Sequence, residues 1–180
     1  MEESNITFAS LGLSDAMLKA LEKKGYGYPT TIQAEAIPYF LQWRDVIAKA
    51  PTGTGKTFAF GIPMIEHIDA ESEEVQGLIL APTRELAIQI GDELRGLLTY
   101  FHNIRVAVLY GGAGIGGQIK ALEKKPQIVL YFMRNYGCNG WCNKGNRLYC
   151  TPNNRIPYRS LCIETCVACY SFQNTEIPYD

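Results

Sequence analysis

Apolar residues along the first 129 positions fall into two alternating rhythms. Leu11, Leu13, Met17, Leu18 and Leu21 recur at helical spacing after Ser14, which suits a helix N-cap, with Leu13 placed to staple against Leu18. This predicts a helix ending near Lys24, broken by Gly25-Tyr26-Gly27-Tyr28-Pro29. A second helix is expected from Thr31 to Leu41, and Val46-Ile47-Ala48 reads as a short buried strand. A Gly-rich turn follows, then a helix from Lys56 to about Ile68 and an acidic loop from Asp69 to Glu74. Gly77 to Ala81 is the next strand. Positions 86, 87, 90, 94, 97 and 98 then mark a helix from Arg84 to Tyr100. Arg105 to Tyr110 is a third strand, Ile115 to Lys125 a helix, and Gln127-Ile128-Val129 the start of a fourth strand. Continuous Val/Ile/Leu strands alternating with helices predict an α/β fold with a buried parallel sheet.

Composition divides the chain where this rhythm ends. Of its 180 residues, 1–129 contain fourteen alanines and no cysteine, whereas 130–180 contain one alanine and all six cysteines. Asparagine rises from two to seven across the same point, and 12 basic and 15 acidic residues give way to 5 and 3. The net charge of -1 gives no argument for nucleic acid from charge alone. Met1-Glu2-Glu3-Ser4 lacks the basic start and apolar run of a signal peptide, and no window of about 18 apolar residues could cross a membrane. The expected compartment is the cytoplasm.

The strongest chemical signal is Ala50-Pro51-Thr52-Gly53-Thr54-Gly55-Lys56-Thr57, between a strand and a helix. Its glycines let backbone N–H groups turn inward toward phosphate oxygens, and the helix start adds a favourable dipole. Lys56 can reach β- and γ-phosphates, and the Thr57 hydroxyl suits Mg²⁺. Ala50 stands where the general pattern has its first glycine. The loop alone indicates a bound nucleoside triphosphate.

Three further strings narrow this. Gly25-Tyr26-Gly27-Tyr28-Pro29-Thr30-Thr31-Ile32-Gln33 lies upstream, with Phe8 17 residues before Gly25. Pro82-Thr83-Arg84-Glu85-Leu86-Ala87-Ile88-Gln89 follows the second strand, and Gly111-Gly112 follows the third. In order and spacing, residues 1–129 resemble the first, RecA-like domain of the DEAD-box ATP-dependent RNA helicases: the Q motif with its upstream aromatic, motif I, motif Ia and the GG motif.

The resemblance implies ATP and Mg²⁺ as cofactors and RNA as partner. Gln33 would read the adenine edge, Phe8 and Tyr26 would pack on the ring, and Thr30 would support the loop beneath. Thr52, Gly53, Thr54, Gly55, Lys56 and Thr57 would hold the phosphates and metal. Pro82, Thr83, Arg84, Gly111 and Gly112 would face RNA through its backbone, independently of sequence. From composition alone, Phe8 and Tyr26 read instead as core aromatics, Arg84 as a surface arginine at a helix start, and His67 and His102 as surface or boundary residues.

After Val129 the resemblance ends. The family would give a motif resembling A-T-P-G-R; this chain reads Leu130-Tyr131-Phe132-Met133-Arg134-Asn135, and Thr151-Pro152-Asn153-Asn154-Arg155 matches it only superficially. Neither D-E-A-D nor S-A-T occurs in the 180 residues, so no catalytic residue is assigned and the chain alone is expected not to turn over ATP. The family's second domain is also missing from them. The sheet is expected to be incomplete, leaving the phosphate-loop strand with unpaired edges and an uncovered apolar surface. Residues 130–180 are expected to form an irregular, poorly ordered tail rich in Cys, Asn and Tyr, of the kind an out-of-frame reading produces. The rival is a zinc module on Cys138, Cys142, Cys166 and Cys169, which leaves Cys150 and Cys162 unused. Two function classes follow: the N-terminal piece of an RNA helicase, inactive alone, or a non-catalytic nucleotide- or RNA-binding module. A small P-loop nucleotide kinase is disfavoured, because Pro82 to Gln89 would have no purpose there.

Overall fold

The computed structural model describes residues 6–132 together with the strands Arg159–Ile163 and Val167–Ser171. A 3₁₀ turn at Phe8–Leu11 leads into α1 (Asp15–Lys23), α2 (Thr31–Leu41), β1 (Val46–Ala48), α3 (Lys56–Glu66) and β2 (Gly77–Ala81). Then come α4 (Arg84–Leu97), β3 (Val106–Leu109), α5 (Ile115–Glu123), β4 (Ile128–Phe132), β5 (Arg159–Ile163) and β6 (Val167–Ser171). Ser14 caps α1 by accepting from the Met17 N–H, and Thr83 caps α4 by accepting from the Leu86 N–H. The expected helices and strands are all present, with α4 giving way after Leu97 to a 3₁₀ turn at Leu98–Tyr100.

Among the described residues the sheet order is β1-β5-β6-β2-β4-β3. β2, β4 and β3 pair in parallel, as do β1 and β5, whereas β6 runs antiparallel to both neighbours. β4 begins where expected and continues through Phe132, with Leu130 fully buried, so the compositional break at 129 falls inside a buried strand. And β1 does not keep both edges bare: the tail expected to be irregular supplies β5, whose Leu161 stands opposite Val46. The edges of β1 and β2 carry backbone donors and acceptors that take any extended partner, and short runs such as Ser160-Leu161-Cys162-Ile163 suffice.

The core lies where α3 and α4 cover one face of the sheet. Register places Ile79, Leu130 and Val108 in one row on this face, and α4 sits so close that a Cβ at Gly91 would lie 2.5 Å from Val108. Phe60, Ile62, Ile65, Ile90, Leu94 and Leu97 fill the layer between. Right-handed crossovers put α5, which returns from β3 to β4, on the opposite face from α3 and α4. That second face is thinly covered, with Ile47 79% exposed and Tyr131 46% exposed. Ile47 is thus an exposed apolar side chain on the strand that leads into the glycine-rich loop.

Polar and aromatic contacts tie the end of α3 to the start of α1 and to α2. Glu66 at the end of α3 accepts from the backbone and hydroxyl of Ser14 at 3.1 and 2.9 Å. Trp43 stacks on His67 with centroids 3.9 Å apart, and His67 Nε2 donates to the Phe40 carbonyl at 3.1 Å. Half-burial holds the His67 pKa below the ordinary imidazole value, outweighing the Phe40 hydrogen bond and the Glu66 charge, which favour protonation. The fold thus prefers neutral His67. Its stability contribution is complete above the unfolded pKa of about 6.5 and is lost as pH falls through the lowered folded value. The midpoint of thermal unfolding should fall between about pH 7 and pH 5.5, and His67→Gln should flatten that slope. An unchanged slope in the variant would contradict the assignment.

Candidate nucleotide site and nucleic-acid edge

The turn after β1 wraps around its own lysine. Gly53 and Gly55 take φ of 80° and 83°, the left-handed region that side chains disfavour. Thr54 Oγ1 donates to the Pro51 carbonyl at 2.8 Å, and the Lys56 ammonium donates to the carbonyls of Ala50 and Pro51 at 2.7 and 2.6 Å. A positive charge thus sits at the centre of the loop at the start of α3, held by neutral acceptors. Phosphate oxygens are stronger acceptors for the same ammonium.

The start of α2 is bolted to this loop. The Gln33 amide accepts from the Thr30 N–H at 3.0 Å and donates to the Gly55 carbonyl at 3.0 Å. Thr30 Oγ1 donates to the Thr54 carbonyl at 2.8 Å. Gln33 is 3% exposed, so these bonds form away from competing water. Gly55 is required twice over, because a Cβ there would also stand 2.3 Å from Gln33 Nε2. The amide keeps a second N–H and a second lone pair, but its visible role is to join helix to loop.

The aromatics divide. Phe8 is buried in the core, as the composition-based reading has it, while also lining a hollow of about 440 Å³ with Leu18, Gly25 and Tyr26. Tyr26 is half-exposed and stands edge-on to Phe58 with centroids 5.0 Å apart. It borders both that hollow and a cleft of about 490 Å³ that takes in Thr30, Gln33, Thr52, Gly53 and Gly55 to Thr57. The cleft is also lined by Lys24, Tyr28, Gln89 and Glu93, residues with no role assigned from sequence. Gln89 closes the string beginning at Pro82 and could have been suspected from that; Lys24 carries no such signal.

A second cluster forms at the carboxyl ends of β2 and β3, which β4 separates within the sheet. Thr83 and Arg84 are exposed at the start of α4, with Pro82 half-buried before them. The Arg84 guanidinium lies over the Tyr110 ring, 4.5 Å from its centroid. Gly112, at φ 88°, is so placed that a Cβ would come within 3.8 Å of an Arg84 nitrogen. Arg84, Gly111 and Gly112 therefore share one exposed edge. His102 is exposed and His67 belongs to the α2–α3 seam. Of the cysteines weighed for zinc, Cys138, Cys142 and Cys166 lie outside the described residues, and Cys169 is a strand position opposite Ile79.

The parallel strands β2, β4 and β3, with a glycine-bounded lysine loop between β1 and α3, define a RecA-like P-loop domain. The DEAD/DEAH box helicase family model matches residues 30–135, and the chain belongs to that family. It is 49% identical over 124 residues to the DEAD-box ATP-dependent RNA helicase CshA of Bacillus cereus, a match covering 69% of this chain and 23% of the relative. Against the ATP-dependent RNA helicase CshA of Limosilactobacillus reuteri the identity is 52%, over 68% of this chain and 24% of the relative. The chain thus spans about a quarter of the length of these curated relatives. Among solved structures it resembles a DEAD box protein from the hyperthermophile Methanococcus jannaschii, with a TM-score of 0.66 and 44% identity over 71% of this chain and 34% of that one. The RNA helicase Prp28 from Chaetomium thermophilum bound to ADP also has a TM-score of 0.66, with 37% identity over 70% of this chain and 32% of that one.

The two loop glycines give a local test. Gly53→Ala meets only backbone strain, since nothing lies within 4 Å of its Cβ, whereas Gly55→Ala must also displace Gln33. Gly55→Ala should cost about 1–2 kcal/mol more than Gly53→Ala in urea unfolding. Equal costs would mean that the Gln33 bridge is not formed in solution.

Proposed function

We propose that residues 8–57 hold ATP with Mg²⁺ and that residues 82–84 and 111–112 contact an RNA backbone, as the first domain of an ATP-dependent RNA helicase. The observation that carries this reading is the lysine-centred loop locked to α2 through Gln33. The residues fit the group: left-handed Gly53 and Gly55 curl the loop, and a cleft of about 490 Å³ opens beside it. On binding, Lys56 exchanges two carbonyl acceptors for phosphate oxygens, and Thr57 offers its hydroxyl to the metal. Mg²⁺ supplies charge neutralisation at the phosphates. Tyr26 offers a half-exposed aromatic ring on which the base would pack, and the Gln33 amide links base side to phosphate side. Selection of adenine rests on the Q-motif match of Phe8, Tyr26, Thr30 and Gln33.

Turnover is a separate matter. Hydrolysis in this class of reaction needs a carboxylate to hold metal and orient water, and a charge to stabilise the transition state. The 180 residues contain no D-E-A-D, so the chain by itself binds without effective turnover. Residues 136–180 lie beyond the family match, and the change of composition after 129 falls just before its end. In equilibrium binding with a fluorescent ATP analogue and Mg²⁺, Lys56→Ala should weaken affinity by roughly tenfold or more, a loss of about 1.4 kcal/mol. Steady-state phosphate release by the unaltered chain should match the Lys56→Ala background. Release above that background would overturn the claim of no turnover, and unchanged affinity in the variant would overturn the nucleotide site.

A further inference from the structure

Arg84 is an exposed arginine, yet it is not left to wander. Its guanidinium lies 4.5 Å over the Tyr110 ring. Tyr110 is itself fixed from a third element: its N–H donates to Gln118 Oε1 at 3.0 Å, and its carbonyl accepts from Gln118 Nε2 at 2.9 Å. Both backbone groups of Tyr110 are thus taken by one side chain of α5. β3 ends at Leu109, and the chain turns through Gly111 and Gly112, the latter at φ 88°.

We propose that Tyr110 and Gln118 are positioning residues that hold Arg84 ready for an RNA phosphodiester. The inference rests on the RNA reading above and adds to it two residues that no motif match singled out. Stacking on a ring uses the flat face of a guanidinium. All five N–H donors lie in its plane and stay available to a planar pair of phosphate oxygens. The ring therefore restricts the arginine without consuming its hydrogen bonds. Gly112 offers no side chain on the flank facing Arg84, where a Cβ would already be in contact at 3.8 Å. Gln118 sets the height of the ring by pinning the backbone that carries it. The contact reads a phosphate and not a base, so it demands no sequence.

The test uses the full 180-residue chain and a fluorescein-labelled single-stranded oligo-uridylate, with anisotropy titrations at several salt concentrations. Arg84→Ala should weaken binding roughly tenfold and reduce the salt slope by about one. Tyr110→Ala and Gln118→Ala should each weaken binding by about three- to tenfold, whereas Tyr110→Phe, which keeps the ring, should bind as the unaltered chain does. In the Arg84→Ala background, Tyr110→Ala should add nothing, because its effect passes through the arginine. Urea midpoints identify any variant that fails to fold. Should Tyr110→Ala do so, Tyr110→Leu keeps bulk without the π-face, and the ring-current shift of the Arg84 side-chain NMR signals, present in the unaltered chain, should vanish in it. Additive losses from Tyr110→Ala and Arg84→Ala, or a Tyr110→Phe variant as weak as Tyr110→Ala, would overturn the positioning role while leaving the RNA reading intact. No binding by the unaltered chain, or none lost in Arg84→Ala, would remove the RNA contact itself and the proposal with it.

Discussion

The buried amide of Gln33 is the joint on which the nucleotide side of the molecule depends. It accepts from the N–H of Thr30, the residue that caps α2, and donates to the carbonyl of Gly55. Remove it, and the helix loses its reciprocal cap while the loop loses the anchor at its last glycine. A glycine-rich turn left to itself samples many backbone states. Here the turn is fastened from outside by Gln33 and Thr30 and from inside by Lys56. A preorganised loop presents its N–H groups without having to order them at the moment of binding.

The sheet does comparable work for the second edge. β2 and β3 are 29 residues apart at their first positions, and β4 is inserted between them. Parallel strands nonetheless end on the same side, so the residues that follow each strand gather there. Phosphate loop, Arg84 and the Gly111-Gly112 turn are all sequels to strand ends, and parallel sheets gather binding groups along such an edge. The two clusters share α4: Arg84 begins it, and Gln89 and Glu93 wall the nucleotide cleft. A shift of that helix would be felt at both.

Much of this was legible in the sequence because periodicity and turn chemistry speak locally. Ser14 and the glycines announce a helix start and turns before any tertiary contact is known. Gln33 was legible as important, but its bond to Gly55 was not, since 22 positions separate the partners. Tyr110 and Gln118 were silent for the same reason: what matters is which strand lies beside which. Phe8 shows two signals in one residue, a motif position that is also a core side chain 3% exposed. β5 and β6 escaped notice because short mixed runs such as Val167-Ala168-Cys169-Tyr170-Ser171 carry no strong rhythm, and open sheet edges recruit strands by backbone bonding, which sequence pattern does not record.

Gln33 holds the phosphate loop in its binding shape before any nucleotide arrives. Amide hydrogen exchange of residues 52–57 in the nucleotide-free chain, compared with Gln33→Ala, tests it most directly. Exchange should be slow in the unaltered chain and at least about tenfold faster in the variant, with β2 and α4 unchanged. Equal rates in the two proteins would show that the loop does not depend on the amide, and the account of the site would fail at its base.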